Sequence, residues 1–206
     1  VCLTLLIGAG TICPAQAESA TEAGRRLAQE AYDAPNGDDF ASRATMTLIE
    51  KGRSPRERTM YTLAKDRGRS ERWSLTRFTS PSDIQGVGLL TKDYPGDNND
   101  QWLYLPALKR VKRIASRNKS GPFMGSEFAY EDLTSQEIEK YTYKYIRDEQ
   151  INGVDYFVIE RYPAYEHSGY TRQVVWVNKD RYVGEKIEFY DRKNDLLKTL
   201  VNSDYN

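Results

Sequence analysis

The sequence predicts a mainly β (α+β) protein: a strongly curved antiparallel sheet or barrel of about eleven strands, with an N-terminal helix and a helical or loop lid. Three observations carry this reading. Apolar and polar residues alternate from Phe40 onward, short clusters of Gly, Pro, Asn and Asp separate the alternating runs, and no long helical period falls between them. That combination argues against a parallel α/β fold, which needs a crossover helix after each strand.

The elements follow in order. The uncharged run Val1 to Ile12, continued by Cys13-Pro14-Ala15-Gln16-Ala17, reads as a signal peptide over residues 1–17. Ala15 and Ala17 are the small residues that signal peptidase requires, so cleavage is expected after Ala17. The run is too short to span a bilayer. It starts without Met or a positive n-region, as an N-terminal fragment would. Both cysteines, Cys2 and Cys13, lie inside it, which leaves residues 18–206 without a disulfide, a thiolate metal site or a Cys nucleophile. A secreted domain held by its core alone suits the periplasm of a Gram-negative bacterium.

Ala20 to Tyr32 sets Ala20, Ala23, Leu27 and Ala31 on one helical face and Arg25, Arg26, Gln29 and Glu30 on the other. Turn residues Pro35 to Asp38 end this helix. Period-two strands are then expected at 40–50, 56–65, 69–78, 84–93, 101–105, 108–114, 141–150, 154–162, 170–177, 182–191 and 196–201. Asn152-Gly153 is the strongest hairpin signal among them. Residues 115–139 resist the pattern. They hold Gly121-Pro122, the apolar Phe123, Met124 and Phe128, and a short helical candidate from Asp132 to Glu139, and an insertion of that length reads as a lid.

Composition narrows function. A charged fraction of 29% is too polar for a polytopic membrane protein, and 24 aromatics are too many for a disordered chain. A formal net charge of zero removes the global case for nucleic-acid binding. Neither catalysis nor a metal or cofactor site finds support. The one histidine, His167, sits in a polar loop stretch, and Gly86-Val87-Gly88 lacks the third glycine and the helix of a dinucleotide turn. Glu127, Glu131 and Asp132 match no metal loop and read as solvated or capping groups.

Two patterns are more informative. Between Gln101 and Ser126 there are six cations, Lys109, Arg110, Lys112, Arg113, Arg117 and Lys119, and no anion. This is either a docking surface for headgroups or an acidic partner, or an edge strand guarded by charge. Aromatic and aliphatic pairs also recur on single strand faces: Trp73 and Leu75, Trp102 and Tyr104, Phe157 and Ile159, Val175 and Val177, Ile187 and Phe189. They are either plain barrel core or the lining of an apolar cavity left by incomplete closure.

The segments Ser82 to Leu90, Asp100 to Ile114, Phe123 to Leu133 and Val183 to Asp191 together resemble the periplasmic outer-membrane lipoprotein-sorting family of the LolA-like superfamily. That resemblance implies a LolA/LppX-like half-open barrel whose cavity accepts the acyl chains of a lipid or lipoprotein. It also implies transient contact with the membrane surface and partnership with an inner-membrane exporter of the resistance-nodulation-division (RND/MMPL) type. Family members continue past the point where this chain stops, so further closing strands are expected beyond Asn206. An adaptor that binds the exporter and carries no lipid is the alternative from the same fold.

Overall fold

The computed structural model describes residues 18–34, 37, 39–68, 71–94 and 99–203. The signal-peptide expectation over residues 1–17 lies outside these. Ser19 opens the helix α1, Ala20–Asp33, with a capping box: its hydroxyl accepts from the Glu22 N–H at 3.2 Å, and the Glu22 carboxylate accepts from the Ser19 N–H at 2.9 Å. The buried face of α1 is Gly24, Leu27 and Ala28. A Cβ at Gly24 would stand 2.6 Å from the backbone nitrogen of Tyr145, so only glycine lets the helix lie this close to the strand beneath it. The helix propensity lost at Gly24, about 1 kcal/mol, is exchanged for that contact.

Among the described residues, eleven strands form two antiparallel sheets. The first holds β1 (Asp39–Leu48), β2 (Arg56–Asp66), β3 (Arg72–Ser80), β4 (Gly88–Asp93), β5 (Asp100–Leu105) and β6 (Arg110–Arg113), paired in chain order. The second holds β7 (Tyr141–Ile151), β8 (Val154–Pro163), β9 (Tyr170–Asn178), β10 (Gly184–Asp191) and β11 (Leu196–Val201). β7 and β8 turn through Asn152 (φ 51°) and Gly153 (φ 82°), the two positive φ angles that a two-residue hairpin of right-handed twist demands. Bulges between Tyr145 and Arg147 in β7, and at two places in β10, bend the second sheet. The sheets do not pair with each other, so the barrel stays half open.

Two inward-facing clusters pack between the sheets. On the first sheet, Met60, Phe78, Leu89 and Leu103 pack with Ile84, Val87, Ile114 and Phe123. On the second, Tyr141, Tyr143, Ile159, Val175 and Val177 pack with Leu27 and Ala28 of α1. The expected helix from Asp132 to Glu139 does not form. Two separate 3₁₀ turns, Tyr130–Leu133 and Ile138–Lys140, stand in its place, because side chains on this segment bond outward to other elements rather than along a helix.

Candidate functional site: the cavity between the sheets

A cavity of about 1000 Å³ lies between the second sheet, α1 and the insertion. Its apolar wall is one face of the second sheet. Cross-strand register aligns Ile159 with Val175 and Val175 with Ile187, and Val177 and Phe189 continue the same face. Ala28 and Ala31 of α1 and Phe128 and Ile138 of the insertion complete it. The exposed Phe40, Asp66 and Glu127 mark its rim.

Five of the ten sequence-predicted lining residues are therefore together here: Ile159, Val175, Val177, Ile187 and Phe189. Phe157 shares their face but lies beyond the cavity, between Tyr182 and the Lys179 ammonium, which is 4.6 Å from its ring centroid. The other four are corrected by the structure. Leu75 pairs with Leu90 and Leu90 with Trp102, on the side opposite to the Thr76, Leu89 and Leu103 that face inward. Leu75, Trp102 and Tyr104 thus line a separate groove of about 570 Å³ on the outer face of the first sheet, with Leu90 and Val111. Trp73 stands on that outer face too, under the Lys92 ammonium at 3.7 Å. Strand alternation separates two faces without saying which is inside, and here the inner one was misassigned.

The lid residues also differ from expectation. Phe123 is 1% exposed and sits between Phe78 and Tyr130, with ring centroids 5.8 and 5.6 Å away. Met124, half-buried, packs on the same cluster, and its carbonyl accepts from Arg58. Phe123 and Met124 are thus core of the first sheet, while Phe128, half-buried, borders the cavity. Gln101, fully buried, ties the segment to the sheet by donating to the Tyr130 carbonyl at 2.9 Å.

Of the carboxylates read as solvated or capping groups, Glu127 is exposed and Asp132 does cap, whereas Glu131 departs from that reading and anchors the segment. Glu131 is buried and accepts from Tyr165 Oη and Ser168 Oγ at 2.9 Å and from the Gly169 N–H at 2.8 Å. Asp132 caps the Ala129 N–H, accepts from Tyr170 Oη at 2.8 Å and pairs with Lys198 of β11. Together they bind the insertion to the β8–β9 loop and to the second sheet. Burial, joined by Tyr141 and Glu131 at Tyr165 and by Asp132 at Tyr170, pushes both phenols well above their ordinary value, so both stay protonated donors.

The basic segment is split. Lys109, Arg110, Lys112 and Arg117 are exposed, and β6 is an edge strand, so the guarded-edge reading fits its position. Arg113 is exposed but pairs with Asp100. Lys119 is corrected: it is half-buried and donates to the Asn99 carbonyl, and burial with the nearby Lys140 holds its pKa below the ordinary range. It is a structural cation rather than a docking one.

Sequence reasoning missed Arg161, although the signal was present. Phe157, Ile159 and Arg161 share one strand face, so an arginine interrupts an otherwise apolar inward row. The structure places Arg161 in the cavity wall.

A family profile described as "Uncharacterized protein" matches residues 70–206. The solved outer membrane lipoprotein-sorting protein domain from Vibrio parahaemolyticus is 48% identical, with a TM-score of 0.87, over 90% of this chain and 79% of that one. A DUF1329 family protein from Desulfovibrio piger is 30% identical, with a TM-score of 0.82, over 87% of this chain and 77% of that one. A LolA superfamily protein from Nitrosomonas europaea, 22% identical with a TM-score of 0.69 over 92% and 80% of the two chains, shares the fold. No curated protein matches the chain.

Proposed function

Because the chain belongs to the outer membrane lipoprotein-sorting family, we propose that it is a periplasmic, non-enzymatic carrier that shelters acyl chains of a lipid or lipoprotein between its two sheets. The observation that carries this reading is the cavity of about 1000 Å³ walled by Ile159, Val175, Val177, Ile187 and Phe189. Its volume lies at the upper end of small-ligand sites.

The energetics favour a partly open site. Each buried methylene contributes roughly 0.8 kcal/mol, so a fully enclosed chain of about sixteen carbons would gain about 13 kcal/mol, near nanomolar affinity. A carrier has to release what it holds, and a half-open barrel encloses only part of the chain. In this reading the exposed Lys109, Arg110, Lys112 and Arg117 meet anionic headgroups or an inner-membrane exporter of the RND type during loading. The N-terminal run is removed after Ala17.

The test is extraction of the purified protein with organic solvent, followed by mass spectrometry. Lipid near one mole per mole is the expected result. A protein free of lipid when isolated from its own periplasm, and unable to take up lipid from vesicles, sinks the carrier reading and leaves the exporter adaptor.

A further inference from the structure

Arg161 is the feature of the cavity that the carrier reading leaves unexplained. Its Nε donates to Gln173 Oε1 at 2.6 Å, and its guanidinium lies 5.0 Å from the centroid of the Tyr141 ring. Gln173 is 2% exposed and Tyr141 6%, so the arginine is braced from two sides by buried groups. Its terminal nitrogens have no carboxylate within 4 Å and no hydrogen-bond acceptor among the described residues. Of the other cations in the wall, Lys198 is paired with Asp132, and Arg72 lies at the rim with its guanidinium 5.5 Å from the centroid of the exposed Phe40 ring. Glu131, on the facing insertion, has its oxygens filled by Tyr165, Ser168 and Gly169.

A half-buried guanidinium without a counter-charge is costly in an apolar site, where methionine or leucine would cover the same wall without that cost. Its free end is a planar pair of N–H donors, the geometry that binds an oxyanion through two parallel hydrogen bonds. Resting on the carrier reading, we propose that Arg161 is a headgroup site inside the cavity, and that the ligand is an acyl chain ending in one anionic oxygen group, a carboxylate or a phosphate. The chain lies along Ile159, Val175 and Ile187, and the anion docks at the Arg161 fork. Gln173 and Tyr141 are positioning residues that keep the fork turned into the cavity.

The experiment uses cis-parinaric acid and its methyl ester, two fluorescent probes with the same chain and with or without the anion. Wild-type protein is expected to bind the acid at least about tenfold more tightly than the ester. Arg161→Gln is expected to bring the two within about threefold while ester affinity stays unchanged. Arg161→Lys, which keeps the charge and loses the fork, should fall between them. Displacement of the bound acid by palmitate and by lysophosphatidic acid then tells a carboxylate ligand from a phosphate one. Equal binding of acid and ester by the wild type overturns the headgroup site and leaves the carrier reading standing. The same holds for an acid preference unchanged in Arg161→Gln. Binding of neither probe by the wild type overturns both. Should Arg161→Gln not fold, Arg161→Met takes its place and an acid preference unchanged in it overturns the site, while an acid preference unaffected by Gln173→Leu rejects the positioning role of Gln173.

Discussion

On the first sheet the inward-facing Phe78, Leu89 and Leu103 are covered by Phe123, whereas on the second the inward-facing Ile159, Val175 and Ile187 border a cavity. Both walls come from the same alternating strands of aliphatic and aromatic residues. The insertion lays Phe123 onto the first, whereas α1 covers only part of the second and leaves the cavity beside it. The covered wall becomes core and the other becomes a site, so the insertion between the sheets decides where the molecule is empty. It is held in that role by polar ties that run to both sheets from three consecutive residues: the Tyr130 carbonyl to Gln101 of the first, and Glu131 and Asp132 to the β8–β9 loop and to Lys198 of the second.

The largest test of this contrast is within the insertion itself. Phe123→Ala removes a fully buried ring and should cost about 4 kcal/mol, while Phe128→Ala, at the cavity wall, should cost about 1.5 kcal/mol because one side of that ring already lacks partners. Urea unfolding of both variants measures the gap, and equal costs would break the comparison. Next in size is Glu131→Gln, which weakens a buried acceptor of three donors and should cost about 2 kcal/mol. Hydrogen exchange in residues 115–133 should then quicken toward that of exposed loops. Exchange unchanged from wild type would mean that another contact holds the segment.

A smaller effect is expected at the edges of the sheets. β6 presents Arg110 and Lys112, whereas the β11 edge exposes Leu196, Leu197 and Val201. Reversing Lys109, Arg110, Lys112 and Arg117 to Glu should change stability by no more than about 0.5 kcal/mol per site. Binding to anionic vesicles should be lost, and wild-type binding should weaken as salt rises. Binding retained by the folded variant would reduce these cations to edge guards. The smallest effect concerns Asp93, on the inner face of the first sheet. Burial raises its pKa above 3.8 despite hydrogen bonds from Ser135 at 2.7 and 3.1 Å. The folded protein then holds this proton where the unfolded chain has lost it, so the contribution of Asp93 to stability rises as pH falls through its folded pKa toward 3.8. Asp93→Asn should flatten that part of the stability–pH curve, and an unaltered slope would show that another group sets it.

Much of this architecture was legible in the residues. Alternation and turn chemistry placed all eleven strands to within a few residues, and Asn152-Gly153 marked its hairpin because few other residue pairs adopt two positive φ angles at low cost. The apolar spacing of α1 and the Ser19–Glu22 pair likewise define that helix locally. Which face turns inward was not legible. A period of two gives Trp73, Leu75, Trp102 and Tyr104 one side and Thr76, Leu89 and Leu103 the other, and both sides are rich enough in carbon to be core. Only the tertiary structure chose, by laying Phe123 on the second of them. It also turned Glu131 from a surface charge into a buried anchor and set Arg161 in a cavity wall without a counter-charge. Those outcomes depend on groups 34 to 38 positions away for Glu131 and 12 positions away for Arg161. Local propensity has no term for such distances, because burial and charge pairing are set by whichever segments the fold brings together.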